Sequence, residues 1–133
     1  MPDETHVGIA SATDIVTARQ KGRALAIELG FESVEATLIA AAISEVSRNI
    51  VEYAKRGEII LQASRNGARH GLCVVARDEG PGIPDVAQAL QYGYSTRRGL
   101  GVGLPGAKLL MDEFDIISKV GQGTTITMRK WLD

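Results

Sequence analysis

Three stretches of this chain place chemically capable residues at informative spacings. The first is Asp78-Glu79-Gly80-Pro81-Gly82, which follows the apolar run Leu72-Cys73-Val74-Val75-Ala76-Arg77. That run reads as a buried strand, so a carboxylate falls where the strand ends and glycines then break it. Gly80 and Gly82 allow a flat ligand to approach the backbone closely, and Pro81 stiffens the turn between them. An ordinary polar turn closing a strand has the same composition, so this stretch alone leaves both readings open. The second is the pair Glu45 and Asn49, four residues apart and therefore on one stripe of a helix. The third is Leu100-Gly101-Val102-Gly103-Leu104-Pro105-Gly106, where glycine-permitted backbone N–H groups at a helix start suit anionic phosphate oxygens.

Two familiar glycine-loop readings fail on context. A dinucleotide fingerprint needs its glycines directly after the first strand of a βαβ unit, whereas Gly99, Gly101 and Gly103 follow the polar segment Gly93-Tyr94-Ser95-Thr96-Arg97-Arg98. A phosphate loop needs Lys followed by Ser or Thr, and here Lys108 is displaced by Ala107 with no hydroxyl after it.

The elements that must position these residues follow from periodicity. Residues 7–10 suggest a brief edge strand. Thr13 and Asp14 open an amphipathic helix that Gly30 stops. Ser33 is expected to cap a longer helix running to Tyr53 or Ala54, ended by Lys55-Arg56-Gly57. On it Ile39, Ile43, Val46, Ile50 and Tyr53 follow core spacing, while Glu45, Asn49 and Glu52 lie on the neighbouring stripe. Arg48 and Glu52 fit either an exposed helix surface or ion pairs on it. Strands are expected over 58–64 and 71–77 around a polar loop at 65–70 containing Asn66-Gly67. A short helix is expected over 85–92, a third helix with Pro105 in its first turn, and a last hairpin over 114–120 and 124–132. The order β-α-α-β-β-α-β-β predicts a two-layer α/β sandwich, with a mixed, mostly antiparallel sheet covered by helices on one face.

Bulk properties narrow the function. At 133 residues the chain is one domain with a core of ordinary size. Fifteen basic against sixteen acidic residues leave a net charge of −1, which supplies no field for nucleic acid or anionic membrane. The single Cys73 sits within an apolar strand and suits a buried hydrophobe, the polar start lacks signal-peptide character, and a cytoplasmic location is expected. His6 and His70 have no partners at ligand spacing, and Trp131 reads as packing.

Taken together, a carboxylate on a glycine floor, a phosphate-binding helix start and a helix bearing Glu45 and Asn49 make a nucleotide site with a metal position. The chain resembles the GHKL superfamily, with its Bergerat ATP-binding fold. Glu45-Val46-Ser47-Arg48-Asn49 is similar to its N box, Asp78-Glu79-Gly80-Pro81-Gly82 to its first glycine box, and Gly99-Leu100-Gly101-Val102-Gly103-Leu104 to its second. Gly123-Thr124 resembles the closing threonine motif. Four boxes in order are specific where each alone is weak. Gly103-Leu104-Pro105-Gly106 followed by Leu110-Met111-Asp112-Glu113-Phe114 further resembles the small anti-sigma-factor serine kinases.

The resemblance implies a single ATP-binding kinase domain over residues 1–133, using ATP and Mg2+. Asp78 would accept a hydrogen bond from the adenine amino group, Asn49 would hold magnesium, and Glu45 would be the general base. Arg97 and Arg98 would lie in a loop closing over the phosphates, although paired loop arginines also fit a solvated surface. Further nucleotide contacts are implied at Gly80, Gly82, Ile83, Ser95 and Thr96, then along Gly99, Leu100, Gly101, Val102, Gly103 and Leu104, and at Thr124. The implied substrates are STAS-domain scaffold proteins of the RsbS and RsbR kind in the bacterial stressosome, and an RsbU-like phosphatase is the implied partner once the kinase is released. An ATP-binding regulatory module of the anti-sigma-factor kind, without significant kinase activity, is the alternative, and an ATPase domain severed from a larger machine is a remoter one.

Overall fold

The computed structural model describes residues 4–82 and 103–132, so the short helix expected over 85–92 lies outside the described residues. Among these, the order is β1 (Thr5–Ile9), α1 (Ala12–Leu29), α2 (Ser33–Tyr53), β2 (Gly57–Asn66), β3 (Arg69–Asp78), α3 (Gly103–Leu110), β4 (Glu113–Lys119) and β5 (Gly123–Trp131). The strands form one sheet in the order β1-β2-β3-β5-β4.

Every pairing among the described strands is antiparallel, so the sheet is not mixed as expected. The reason is topological. Helices α1 and α2 form a helical hairpin that returns the chain to the end of the sheet it left, so β2 runs back along β1. Strand β4 does run parallel to β3, but β5 turns back and inserts between them.

The sheet's inner face and α2 share the core. Ile59 and Leu61 of β2, Leu72, Val74 and Ala76 of β3, and Ile126 and Met128 of β5 are buried with Ile39, Ile43, Val46 and Ile50 of α2. Each large aliphatic side chain so buried contributes about 1.5–3 kcal/mol. Helix α1 approaches α2 closely because position 22 is glycine: a Cβ there would fall 2.1 Å from Ile43 Cδ1. Cys73 is buried, which pushes its thiol pKa up and keeps it a protonated hydrophobe.

Element ends differ from expectation in instructive ways. Gly30 stops α1 as expected, with φ 110° and N–H bonds from Gly30 to Ile27 O and from Phe31 to Ala26 O, both 3.0 Å. Ser33, however, does not cap α2. The N-cap is Glu32, and the Ser33 hydroxyl instead accepts a 2.8 Å bond from Arg23 Nη2, tying the two helices. At the other end Lys55 takes the left-handed conformation, φ 74°, and Gly57 belongs to β2. The polar loop expected at 65–70 shrinks to the turn Gly67-Ala68, because the β2–β3 ladder continues through Arg65↔His70 and Asn66↔Arg69. Polar side chains do not prevent pairing when both faces at a strand end meet solvent.

Trp131 is packed as expected, 4% exposed, with Nε1 donating to Glu113 Oε2 at 2.7 Å and the Arg69 guanidinium 4.6 Å from the ring centroid. Tyr53 is only half-buried.

Candidate active site

Helix α2 positions both candidate phosphate-end side chains. Glu45 has 12% of its side chain exposed. Its Oε1 accepts a 2.9 Å bond from Arg48 Nη1, one turn along the same helix, and a 3.0 Å bond from the backbone N–H of Gly103. That second bond crosses from α2 to the start of α3, where the first N–H groups have no intrahelical partner and carry partial positive charge. The Gly103 N–H, expected to face an anion, is therefore satisfied by the Glu45 carboxylate. Asn49 lies half-buried one turn after Glu45. Glu45, Arg48, Asn49, Glu52 and Tyr53 line one small cavity together with Gly103 and Leu104.

Asp78 ends β3 with 9% exposure, paired in register with Gly57 on one side and Thr124 on the other. Its Oδ1 accepts a 2.9 Å bond from the Gly80 N–H, which folds the turn back on the carboxylate. Oδ2 has no hydrogen-bond partner among the described residues. Glycines surround this carboxylate for lack of room. A Cβ on Gly57 would sit 3.0 Å from Asp78 Cβ, and one on Gly123 would sit 2.2 Å from the Asp78 carbonyl oxygen. A Cβ on Gly80 would lie 2.5 Å from Ala54 Cβ, so the turn packs on the C-cap residue that follows α2.

Asp78 does not line the Glu45 cavity. It borders a separate cleft with Arg56, Gly57, Arg77 and Glu79. The two are linked through α2: Ala54 follows Glu45 by nine residues, roughly 14 Å along the axis at about 1.5 Å per residue. Thr124 is 4% exposed, and its hydroxyl lies 2.8 Å from that of Ser118. Gly82 takes φ 79° against the Lys119 carbonyl, and the Gly121 N–H bonds to Pro81 O at 2.8 Å, fixing the glycine turn to the β4–β5 hairpin.

The structure thus brings Glu45, Asn49, Gly103 and Leu104 together, and places Gly80 against Ala54 at the far end of α2, with Thr124 paired to Asp78 and Gly82 against the β4–β5 hairpin. Ile83, Ser95, Thr96, Arg97, Arg98, Gly99, Leu100, Gly101 and Val102 lie outside the described residues. Sequence reasoning missed the packing of Ala54, Gly57 and Gly123 around Asp78, for which no local pattern signals. It left Arg48 open, although its i,i+3 spacing from Glu45 was the available clue.

The donors suit a nucleotide and a hard cation. Among the described residues no three His, Cys, Asp or Glu side chains gather to hold a metal. The Asn49 amide oxygen is a donor of the kind a hard cation takes. No helix is long and apolar enough among the described residues to cross a membrane.

At the edge near β1, His6 proves to have carboxylate neighbours: Nδ1 lies 3.2 Å from Glu58 Oε2 and Nε2 lies 3.0 Å from Glu4 Oε1. Hydrogen bonding to Glu58, then to Glu4, raises the His6 pKa. Glu58 is lowered in turn, first by Arg77 and then by His6.

An antiparallel sheet under helices, with acid and amide on one helix and a carboxylate beside a glycine turn, defines an ATPase-type nucleotide-binding domain. Residues 9–130 match the model of the histidine kinase-like ATPase domain, and the chain belongs to that family. It is similar to the serine/threonine-protein kinase RsbT of Bacillus subtilis (strain 168), 48% identical over 132 residues that cover 99% of each chain. That similarity places it in the serine/threonine kinase branch of the family. More distant relatives are the anti-sigma F factors of Thermoanaerobacter sp. (strain X514), 31% identical over 86% of this chain and 83% of that protein, and of Geobacillus stearothermophilus, 28% identical over 98% and 93%.

Proposed function

We propose that this chain passes the γ-phosphoryl group of ATP to a serine or threonine hydroxyl on a STAS-domain scaffold protein of the RsbS or RsbR kind, within the bacterial stress response, and that the released kinase activates an RsbU-like phosphatase. The observation that carries the reading is Glu45, a carboxylate held where α3 begins and one helical turn before Asn49. Pure nucleotide binding has no need of a base at that point.

Asp78, through Oδ2, takes the exocyclic amine of the adenine. The nucleotide extends along α2 toward the start of α3, a span consistent with the roughly 14 Å between Ala54 and Glu45. Asn49 would supply one oxygen to a magnesium ion, which would offset the negative charge of the phosphates. Glu45 orients the incoming hydroxyl and takes its proton. Arg97 and Arg98 stabilise charge developing on the transferred group.

The test is incubation with labelled ATP and a STAS-domain protein, comparing the wild type with Glu45→Gln. The variant should keep magnesium-ATP affinity within a few fold and lose transfer by about 10²–10⁴. Equal loss of both would assign Glu45 to binding or folding. A second reading is an ATP-binding regulatory module of the anti-sigma-factor kind, without significant kinase activity; the anti-sigma F relatives support its regulatory part by name alone. Failure of the wild type to label any STAS protein, with partner affinity still set by ATP, would select it.

A further inference from the structure

We infer that Arg48 is a positioning residue for phosphoryl transfer: together with the Gly103 N–H it holds the Glu45 carboxylate by Oε1 alone and leaves Oε2 to take the proton. The inference rests on the reading of Glu45 as the base. Both donors converge on one oxygen, at 2.9 Å from Arg48 Nη1 and 3.0 Å from Gly103 N. Oε2 has no hydrogen-bond partner among the described residues. The donors come from different elements, one from α2 itself and one from the start of α3, so they fix both the position of the carboxylate and the direction in which its second oxygen points. With the side chain only 12% exposed, water does not compete freely for Oε1.

The step balances as follows. The acceptor O–H bond breaks and its proton moves to Oε2. The acceptor oxygen bonds to the γ-phosphorus, and the bond from that phosphorus to the bridging oxygen breaks, its electron pair leaving on ADP. Arg48 touches neither substrate nor reacting atoms in this scheme. Its contribution is geometric, and a displacement of about 1 Å at a base can cost on the order of 10²-fold.

Arg48 bonds a residue of its own helix, so its removal leaves the Gly103 bond that links α2 to α3. Arg48→Met keeps the apolar stem and deletes the donor. The expected result, in single-turnover transfer to a STAS protein, is a fall in rate of roughly tenfold to a hundredfold, with ATP affinity and acceptor KM within about twofold of wild type. Arg48→Lys, which returns a cationic donor to Oε1, should recover most of the rate. In a Glu45→Gln background Arg48→Met should add nothing further, because the two act as one unit. A rate unchanged in Arg48→Met, or a rate and ATP affinity that fall together, overturns the inference. If Arg48→Met does not fold, Arg48→Leu, which also lacks a donor, repeats the test with the same outcomes. Should Glu45→Gln transfer at the wild-type rate, the base reading itself fails. Collapse in Glu45→Gln alone, with Arg48→Met unaffected, removes only the positioning role.

Discussion

Replacing Asp78 by Asn reverses the hydrogen-bonding sense of one atom and hardly alters the volume of the side chain. In the native turn Oδ1 accepts the Gly80 N–H at 2.9 Å, and on the proposed reading Oδ2 accepts from the purine amine. Asparagine has only one oxygen to serve both donors. With that oxygen on Gly80, its NH2 meets the amine donor to donor. Flipped, it accepts from the amine but turns its NH2 toward the Gly80 N–H, at a position only 9% exposed. The first arrangement forfeits a charge-assisted hydrogen bond, about 1.5–3 kcal/mol, and the second leaves a donor unsatisfied, about 1–3 kcal/mol. Both routes lead to an ATP Kd raised roughly tenfold to a hundredfold.

Titration calorimetry with ATP and with inosine triphosphate, which carries a carbonyl in place of the amine, separates recognition from damage. The wild type should prefer ATP. Asp78→Asn should lose that preference or reverse it, since its NH2 can donate to the carbonyl. Urea unfolding without nucleotide reports whether the turn itself survives. An Asn variant that binds ATP within twofold of wild type, or a wild type indifferent to the two nucleotides, would refute the assignment of Asp78 to the purine.

Gly80→Ala puts a Cβ 2.5 Å from Ala54 Cβ and 2.7 Å from Ala54 Cα, so backbone must move. Urea unfolding should show a loss of about 1–3 kcal/mol, and ATP affinity should fall with it because Asp78 shares the turn. At the β1 edge, hydrogen bonds to Glu58 and then Glu4 raise the His6 pKa above its ordinary value of 6.5. A raised folded-state pKa means a contribution fully present below 6.5 and lost as pH climbs through the folded value. Unfolding curves at successive pH values should therefore show wild type losing stability relative to His6→Ala on the alkaline side of that point, by a small amount because the group is exposed. Parallel curves for the two proteins would dispose of the linkage.

What was legible in the chain was what local pattern controls. The core stripe of α2 and the burial of Ile39, Ile43, Val46 and Ile50 follow from helical period, and the stop at Gly30 follows from its backbone freedom. The carboxylate at the end of β3 could be read because an apolar run ended in an acid and glycines. Strand order was less accessible: insertion of β5 between β3 and β4 depends on pairing over long sequence separations, where no residue type announces its partner. The same limit hid the setting of Asp78. Gly57 looked like a helix stop, yet its missing Cβ serves close packing against Arg77 O and Asp78, while Lys55 takes the left-handed conformation.

These contacts explain why the candidate site is built on a helix. A loop could present Glu45 and Asn49, but it could not keep them at a set separation from a carboxylate on the sheet. Helix α2 is tied at both ends of the site: Ala54 meets Gly80 in the turn that folds over Asp78, and Glu45 bonds Gly103 at the start of α3. Between those ties its inner face is locked by buried aliphatic side chains. The axial distance between Ala54, against which the Asp78 turn packs, and Glu45 is thus nine residues multiplied by the helical rise, roughly 14 Å. The same residues that fill the core therefore set the reach that an extended nucleotide must match.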